Sequence, residues 1–243
     1  MMNKRYEFDE KKHLHTLDGK PLTGCTTVLS VIAKPALIQW AANTAIEYVK
    51  SHAVVDGIET IIVKKEVLEE AKSAHRTMKE AAGDWGTAVH AWIERWVMSQ
   101  IMGGEAVTEF GDSMKDTACK NFVEWALNNK VTFKETEKNV FSERMWLGGI
   151  CDLVLEIDGK TWLADIKTGS GIYPEHFWQM AAYDMCLEEM GLYKDIAGHI
   201  VLNLRKDGTF EEKRSVSNLD NKSAFEAALT IYRIQEKIKN QVI

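Results

Sequence analysis

Two residues, Asp158-Gly159, constrain most tightly how this chain can fold. They separate two largely apolar runs, 147–157 and 160–167. An Asp-Gly pair in that position is the turn chemistry of a two-residue β-hairpin. Such a short loop fixes the register. Ile157 then faces Lys160, and continuing down the ladder brings Asp152 opposite Asp165. Directly opposed residues share a face of the sheet, with Cβ atoms ~4.5–5.5 Å apart. Lys167, two residues beyond Asp165, lies on that same face. A slip of one residue would send the two acids to opposite faces.

Two opposed carboxylates repel unless something cationic joins them. Their neighbours Leu153, Leu155, Trp162, Ala164 and Ile166 are apolar, which puts the ladder well inside the protein. A hard divalent ion between Asp152 and Asp165 resolves the conflict. Lys167 would then stabilise charge building up on a phosphate, or help position or deprotonate an attacking water. The alternative reading leaves one Asp in solvent and pairs the other with Lys167.

Two helical segments carry further polar residues. Gly86-Thr-Ala-Val-His90 lies in a helix expected over 84–102, with Glu94 one turn further on. Gln179-Met-Ala-Ala-Tyr183 lies in a helix expected over 174–190. His90 and Glu94 share a face at i and i+4, as do Gln179 and Tyr183. Alone, a helical His is an ordinary core or surface residue, and Glu94 a partner in a helix-face ion pair. Gln179 and Tyr183 alone are the polar edge of an amphipathic helix. His176 and Trp178 stand near Gln179, where an aromatic ring can stack on a base; Trp178 equally suits the core. Glu137 and Glu143, on the strand before the hairpin, are outer acids with no motif behind them.

The first half of the chain reads as helical. A turn at Leu17-Asp18-Gly19-Lys20 suggests an opening hairpin, and Thr26 to Val31 a short extended stretch. Helices are expected at 35–52, 64–82, 84–102 and 112–129. Strands follow at 131–142, 147–157 and 160–167, then a helix at 174–190, strands at 196–204 and 209–216, and a closing helix at 221–240. With three prolines, no repeat and no low-complexity linker, the 243 residues read as a single domain: a mostly helical region over 1–82 and a core over 83–243. The expected class is α/β, a mixed sheet flanked by helices.

The formal net charge of −6 argues against a passive nucleic-acid coat, whose affinity comes from Lys and Arg. It is compatible with an acid cluster whose field bound divalent ions reverse. Cysteines 25, 119, 151 and 186 include no C-x-x-C pair, so they read as buried free thiols of a reducing cytosol, without a zinc ribbon or iron–sulfur cluster. The charged start MMNKRYEFDEKKH has no signal-peptide character, and no apolar run is long enough to span a membrane.

Gly149-Ile-Cys-Asp152 followed by Asp165-Ile-Lys-Thr-Gly169 resembles the core motif of the PD-(D/E)xK nuclease superfamily, in its RecB-like exonuclease branch. The resemblance implies a restriction-endonuclease-like core. It implies that Asp152 and Asp165 hold one or two Mg²⁺ or Mn²⁺ ions, that Ile166 adds its backbone carbonyl, and that Lys167 serves the hydrolytic water and the scissile phosphate. Gly86 to His90 resembles the branch's G-x-x-x-H element and makes His90 a further metal ligand. Gln179 and Tyr183 resemble its Q-x-x-x-Y element, which lies beside the metal and helps place DNA. The motifs cover residues 83–185; residues 13–40 have the look of stand-alone, phage-type members. The implied activity is exonucleolytic cleavage of DNA, single-stranded or at duplex ends, in recombination and repair. A recombination or annealing protein is the implied partner, and the implied location is the cytoplasm of a bacterial or phage-infected cell. No G-x-x-x-x-G-K-[ST] is present, so no helicase motor is fused. Two rival classes remain open: a non-catalytic nucleic-acid-binding module on a nuclease-like fold, and a metabolic metalloenzyme acting on a small phosphoester.

Overall fold

The computed structural model describes residues 5–56, 60–104 and 113–241. The chain opens with an antiparallel meander of β1 (Tyr6–Asp9), β2 (Leu14–Leu17) and β3 (Lys20–Pro21). The short β4 (Thr23–Gly24) leads into α1 (Cys25–Val28) and one 3-10 turn, Leu29–Val31. Next come α2 (Pro35–His52), the hairpin β5 (Val54–Asp56) and β6 (Thr60–Ile62), and α3 (Lys65–Ala71). Two long helices follow, α4 (Ala74–Met102) and α5 (Ser113–Asn128). The second half holds β7 (Thr132–Ser142), β8 (Leu147–Ile157), β9 (Lys160–Lys167), α6 (Pro174–Glu189), β10 (Gly198–Leu204), β11 (Phe210–Ser215) and α7 (Asn218–Lys239). The chain divides into two units, Met1–Ile32 with Ala88–Ile243, and Ala33–Thr87. No described helix is long and apolar enough to cross a membrane.

A six-stranded sheet organises the larger unit, in the order β11-β10-β9-β8-β4, with β7 also paired to β8. β9 and β10 are parallel, as are β4 and β8, while the remaining pairs are antiparallel. This is the expected mixed α/β sheet. Val154, Leu163 and Val201 pack with Met180 of α6 and Phe225 of α7. A separate aromatic cluster joins Trp96 of α4, Phe122 of α5 and Phe133 of β7. Helices therefore cover the sheet with apolar side chains, the arrangement that buries a two-sided sheet.

The hairpin has the expected register, from Ile157↔Lys160 to Leu153↔Ala164. Asp158 and Gly159 both take left-handed backbone, φ +50° and +72°, as a type I′ turn requires.

Elsewhere the chain departs from expectation. Residues 26–31, expected extended, form α1 and the 3-10 turn. Burial of Cys25, Val28 and Leu29 overrides the β preference of Thr26, Thr27 and Val28. The helix break expected near Gly83 falls instead at Lys72-Ser73, and α4 runs straight through Gly83. A lone helical Gly costs ~1 kcal/mol against Ala, too little to stop a helix with Val89, Trp92, Ile93 and Trp96 buried. The β5–β6 pair falls where no strands are expected, although Asp56-Gly57, between Val54-Val55 and Ile61-Ile62, is the same turn signal as Asp158-Gly159. The helix expected from residue 112 is seen from Ser113, residue 112 lying outside the described residues. α7 starts at Asn218 rather than 221.

The meander packs closely on β8. A Cβ on Gly148 would come within 2.6 Å of the His15 Cβ. Tyr6 Oη and His15 Nδ1 share a hydrogen bond of 2.6 Å, and Phe8 stacks on the ring with centroids 4.5 Å apart. Burial, with a smaller contribution from His13, pushes the His15 pKa down to about 4.

The turn and the buried histidine can each be tested by unfolding. A Gly159→Val variant must hold a β-branched residue in left-handed backbone and should lose roughly 1–2 kcal/mol in urea unfolding. The depressed His15 pKa makes its stabilisation fully present above the unfolded-state value near 6.5, and lost as pH falls towards about 4. Unfolding free energy measured over that window should fall less steeply in His15→Gln than in the wild type.

Candidate active site

The backbone ladder between β8 and β9 stops at Leu153↔Ala164, one level short of the two acids. A side chain continues it. Asp152 Oδ2 accepts the backbone N–H of Ile166 at 2.8 Å. That bond holds the Asp152 carboxylate against the Asp165-Ile166-Lys167 segment.

Neither acid faces solvent. The Asp165 side chain is 1% exposed and that of Asp152 12%. Lys167 Nζ lies 2.6 Å from Asp165 Oδ2, close enough for an ion pair but not aligned as a hydrogen bond. Neither Asp165 oxygen receives a hydrogen bond among the described residues. Burial raises the pKa of Asp165, with the charge of Asp152 adding to it and Lys167 opposing it. Burial likewise raises Asp152, opposed by His90 and Lys167. Burial works against the Lys167 ammonium, but Asp165 and then Asp152 outweigh it, so its pKa is raised and it remains charged. The alternative sequence reading is thus half realised: Asp165 pairs with Lys167, yet Asp152 stays buried.

His90 reaches the same place from α4. Its Nδ1 is 3.8 Å from Asp152 Oδ2 and 4.0 Å from Glu137 Oε1. Ligand atoms of His90, Glu137 and Asp152 lie within 4.8 Å of one another, the one such group among the described residues. Burial disfavours the charged His90 ring, but Glu137, Asp152 and Asp165 together raise its pKa.

Glu137, which the sequence marks only as an outer acid without a motif, stands inside the cluster. It stands on β7 between the pairs Thr136↔Leu153 and Lys138↔Cys151, and so level with Asp152. Its backbone is left-handed, φ +45°, a costly conformation for Glu in mid-strand. The signal that could find it is the β7–β8 register, just as the β8–β9 register places Asp165. The turn at 143–146 has no Asn-Gly or Asp-Gly pair to fix it, and a bulge between Phe133 and Glu135 shifts the pairing further up. Glu137 also lines a cavity of about 620 Å³ with Tyr6, Glu135, Asn139 and Phe141.

On α6, Gln179 Nε2 donates to Tyr183 Oη at 2.7 Å. The Tyr183 ring lies against Gly149, where a Cβ would come within 2.5 Å of Tyr183 Cε1. Glycine is therefore required at Gly149 for the helix to approach the strand carrying Asp152. Burial raises the Tyr183 pKa well above its usual value, so its hydroxyl stays protonated. Tyr173 N–H donates to His176 Nδ1 at 3.3 Å, and the His176 ring lies near enough to influence Asp165. Trp178 packs against the core. Glu94 feels the charge of Glu137 but lies outside the His90 cluster, and Glu143 pairs with Arg5 at 3.1 Å.

The donor set suits a hard divalent cation. Carboxylate oxygens with unused lone pairs and one imidazole surround a point that is only partly open to water. Two carboxylates in such surroundings favour a cation between them over mutual repulsion.

No curated protein sequence matches the chain. Among solved structures, LHK-Exo in complex with dAMP is similar at 12% identity, covering 61% of this chain and 80% of that one, with a TM-score of 0.36. An alkaline exonuclease (LHK-Exo) from Laribacter hongkongensis is similar at 11% identity, covering 63% and 86%, TM-score 0.31. SSO0001 is similar at 15% identity, covering 47% and 57%, TM-score 0.28. Likenesses this low carry no weight for the activity. The sequence model of the PD-(D/E)XK nuclease superfamily, in contrast, matches residues 65–242 and so spans β7 to β11 and every motif above. The chain belongs to the PD-(D/E)XK nuclease superfamily.

Proposed function

We propose that this nuclease is a divalent-metal-dependent deoxyribonuclease, working as an exonuclease of the RecB-like branch. The observation that carries this reading is the convergence on Asp152: His90 and Glu137 on one side, the Ile166 N–H and the Asp165–Lys167 pair on the other. His90, Asp152, Asp165 and the Ile166 carbonyl are the residues that would hold Mg²⁺ or Mn²⁺, with Glu137 beside them. When bound, such an ion would polarise the scissile phosphate and lower the pKa of a water.

The protein's own groups supply the rest. Lys167 stays charged and offsets negative charge growing on the phosphate, or orients the water. The Ile166 N–H fixes the Asp152 carboxylate, so it needs no reorganisation. The Gln179–Tyr183 pair, seated on Gly149, positions the strand from α6. The resemblance to stand-alone, phage-type members supports a DNA substrate, a recombination or annealing protein as partner, and work in the cytoplasm.

Cleavage of DNA by purified protein in Mn²⁺ tests the reading. Lys167→Ala and Asp165→Ala should each lose about 10²–10⁴-fold in rate, and EDTA should abolish wild-type cleavage. Undiminished cleavage by both variants sinks the proposal; wild-type protein that binds DNA without cutting it points to the binding-module class. Glu137→Gln should lose more than tenfold while its melting temperature changes little. On end-labelled DNA, an exonuclease degrades linear molecules and spares circles, whereas cutting of circles would mark an endonuclease.

A further inference from the structure

Among the described residues Lys167 has one close charged partner, Asp165 Oδ2 at 2.6 Å. In the proposed chemistry a divalent cation held by Asp165 would compete with the ammonium for that carboxylate. The ammonium then sits on a flexible four-carbon stem and needs another acceptor to keep its aim.

The neighbouring strand supplies one. In the parallel β9–β10 ladder, Asn203 is the register partner of Lys167, as Val201 is of Asp165. Register partners carry their side chains on one face of the sheet, so Asn203 and Lys167 leave the same face from adjacent positions. Asn203 is 0% exposed, and neither its Oδ1 nor its Nδ2 has a hydrogen-bond partner among the described residues. Its partner on the other side, Glu211, is already engaged by Arg205 at 2.7 Å and Lys213 at 3.2 Å. A buried carboxamide without partners lowers stability, and an apolar residue such as the nearby Val201 would suit the layer better.

We propose that Asn203 is a positioning residue for Lys167: its Oδ1 accepts an ammonium hydrogen once a cation engages Asp165, and so aims the ammonium at the scissile phosphate. This rests on the nuclease reading and acts only through Lys167. It gives the buried amide a hydrogen bond in the working state of the enzyme.

The test is Asn203→Leu, close in volume and without polar atoms. Its melting temperature should equal or exceed the wild-type value, since orphaned polar atoms are removed. Its Mn²⁺ affinity and its KM for linear DNA should be unchanged, while kcat falls tenfold or more. A folded variant with kcat within twofold of wild type overturns the inference. So does a parallel loss of melting temperature, KM and kcat, which is the mark of a structural role. If Asn203→Leu does not fold, Asn203→Ser, smaller and still polar, is judged by the same split between kcat and KM. Failure of the underlying reading looks different: there Lys167→Ala itself cleaves at the wild-type rate. If Lys167→Ala is inactive and Asn203→Leu is fully active, this inference alone fails.

Discussion

Taking two carboxylates from adjacent strands out of water is the constraint on which the rest of this structure depends. Each buried ion carries a desolvation penalty of several kcal/mol, and Asp152 and Asp165 also repel each other. Burial raises the pKa of both. The fold offsets part of this with the Lys167 ammonium, the Ile166 N–H and the His90 ring. The offset is incomplete, because Asp165 keeps both oxygens without a hydrogen bond among the described residues. A centre left short of positive charge in this way is prepared to accept a cation.

Several features far apart in sequence serve that centre. The type I′ turn at Asp158-Gly159 sets the register of the two strands that carry the acids. Gly149 lets Tyr183 approach the strand that carries Asp152. The left-handed backbone at Glu137 marks where β7 departs from regular strand geometry, level with Asp152. Strain and close packing thus collect around the acids, as they do where function is placed ahead of stability. The acid cluster is compatible with a chain of net charge −6 that acts on a polyanion: divalent ions bound there, with Lys167, would reverse the local field whatever the overall charge.

Much of this is legible in the sequence, for identifiable reasons. The Asp-Gly turn carries its own register, so the residue order alone places Asp152, Asp165 and Lys167 relative to one another. The α/β class follows from the change of period after residue 130. Glu137 is not legible in the same way, because the β7–β8 connection has no self-declaring turn and a bulge lies along its strand. The approach of His90 to Asp152 depends on how α4 packs, which no local pattern encodes; only the family motif points to it. Tertiary packing also decides residues 26–31 and the position of the break before α4, against local preference. Asn203 gives no signal at all, since its meaning lies in its neighbour across a parallel ladder.

Calorimetric titration of the purified protein with Mn²⁺, in the absence of DNA, tests the central claim most directly. If the buried acids form a cation site, the wild type binds Mn²⁺ with measurable heat, and Asp152→Asn and Asp165→Asn each lose most of that binding while remaining folded. Mn²⁺ binding that is absent from the wild type, or unchanged in both variants, would contradict the account.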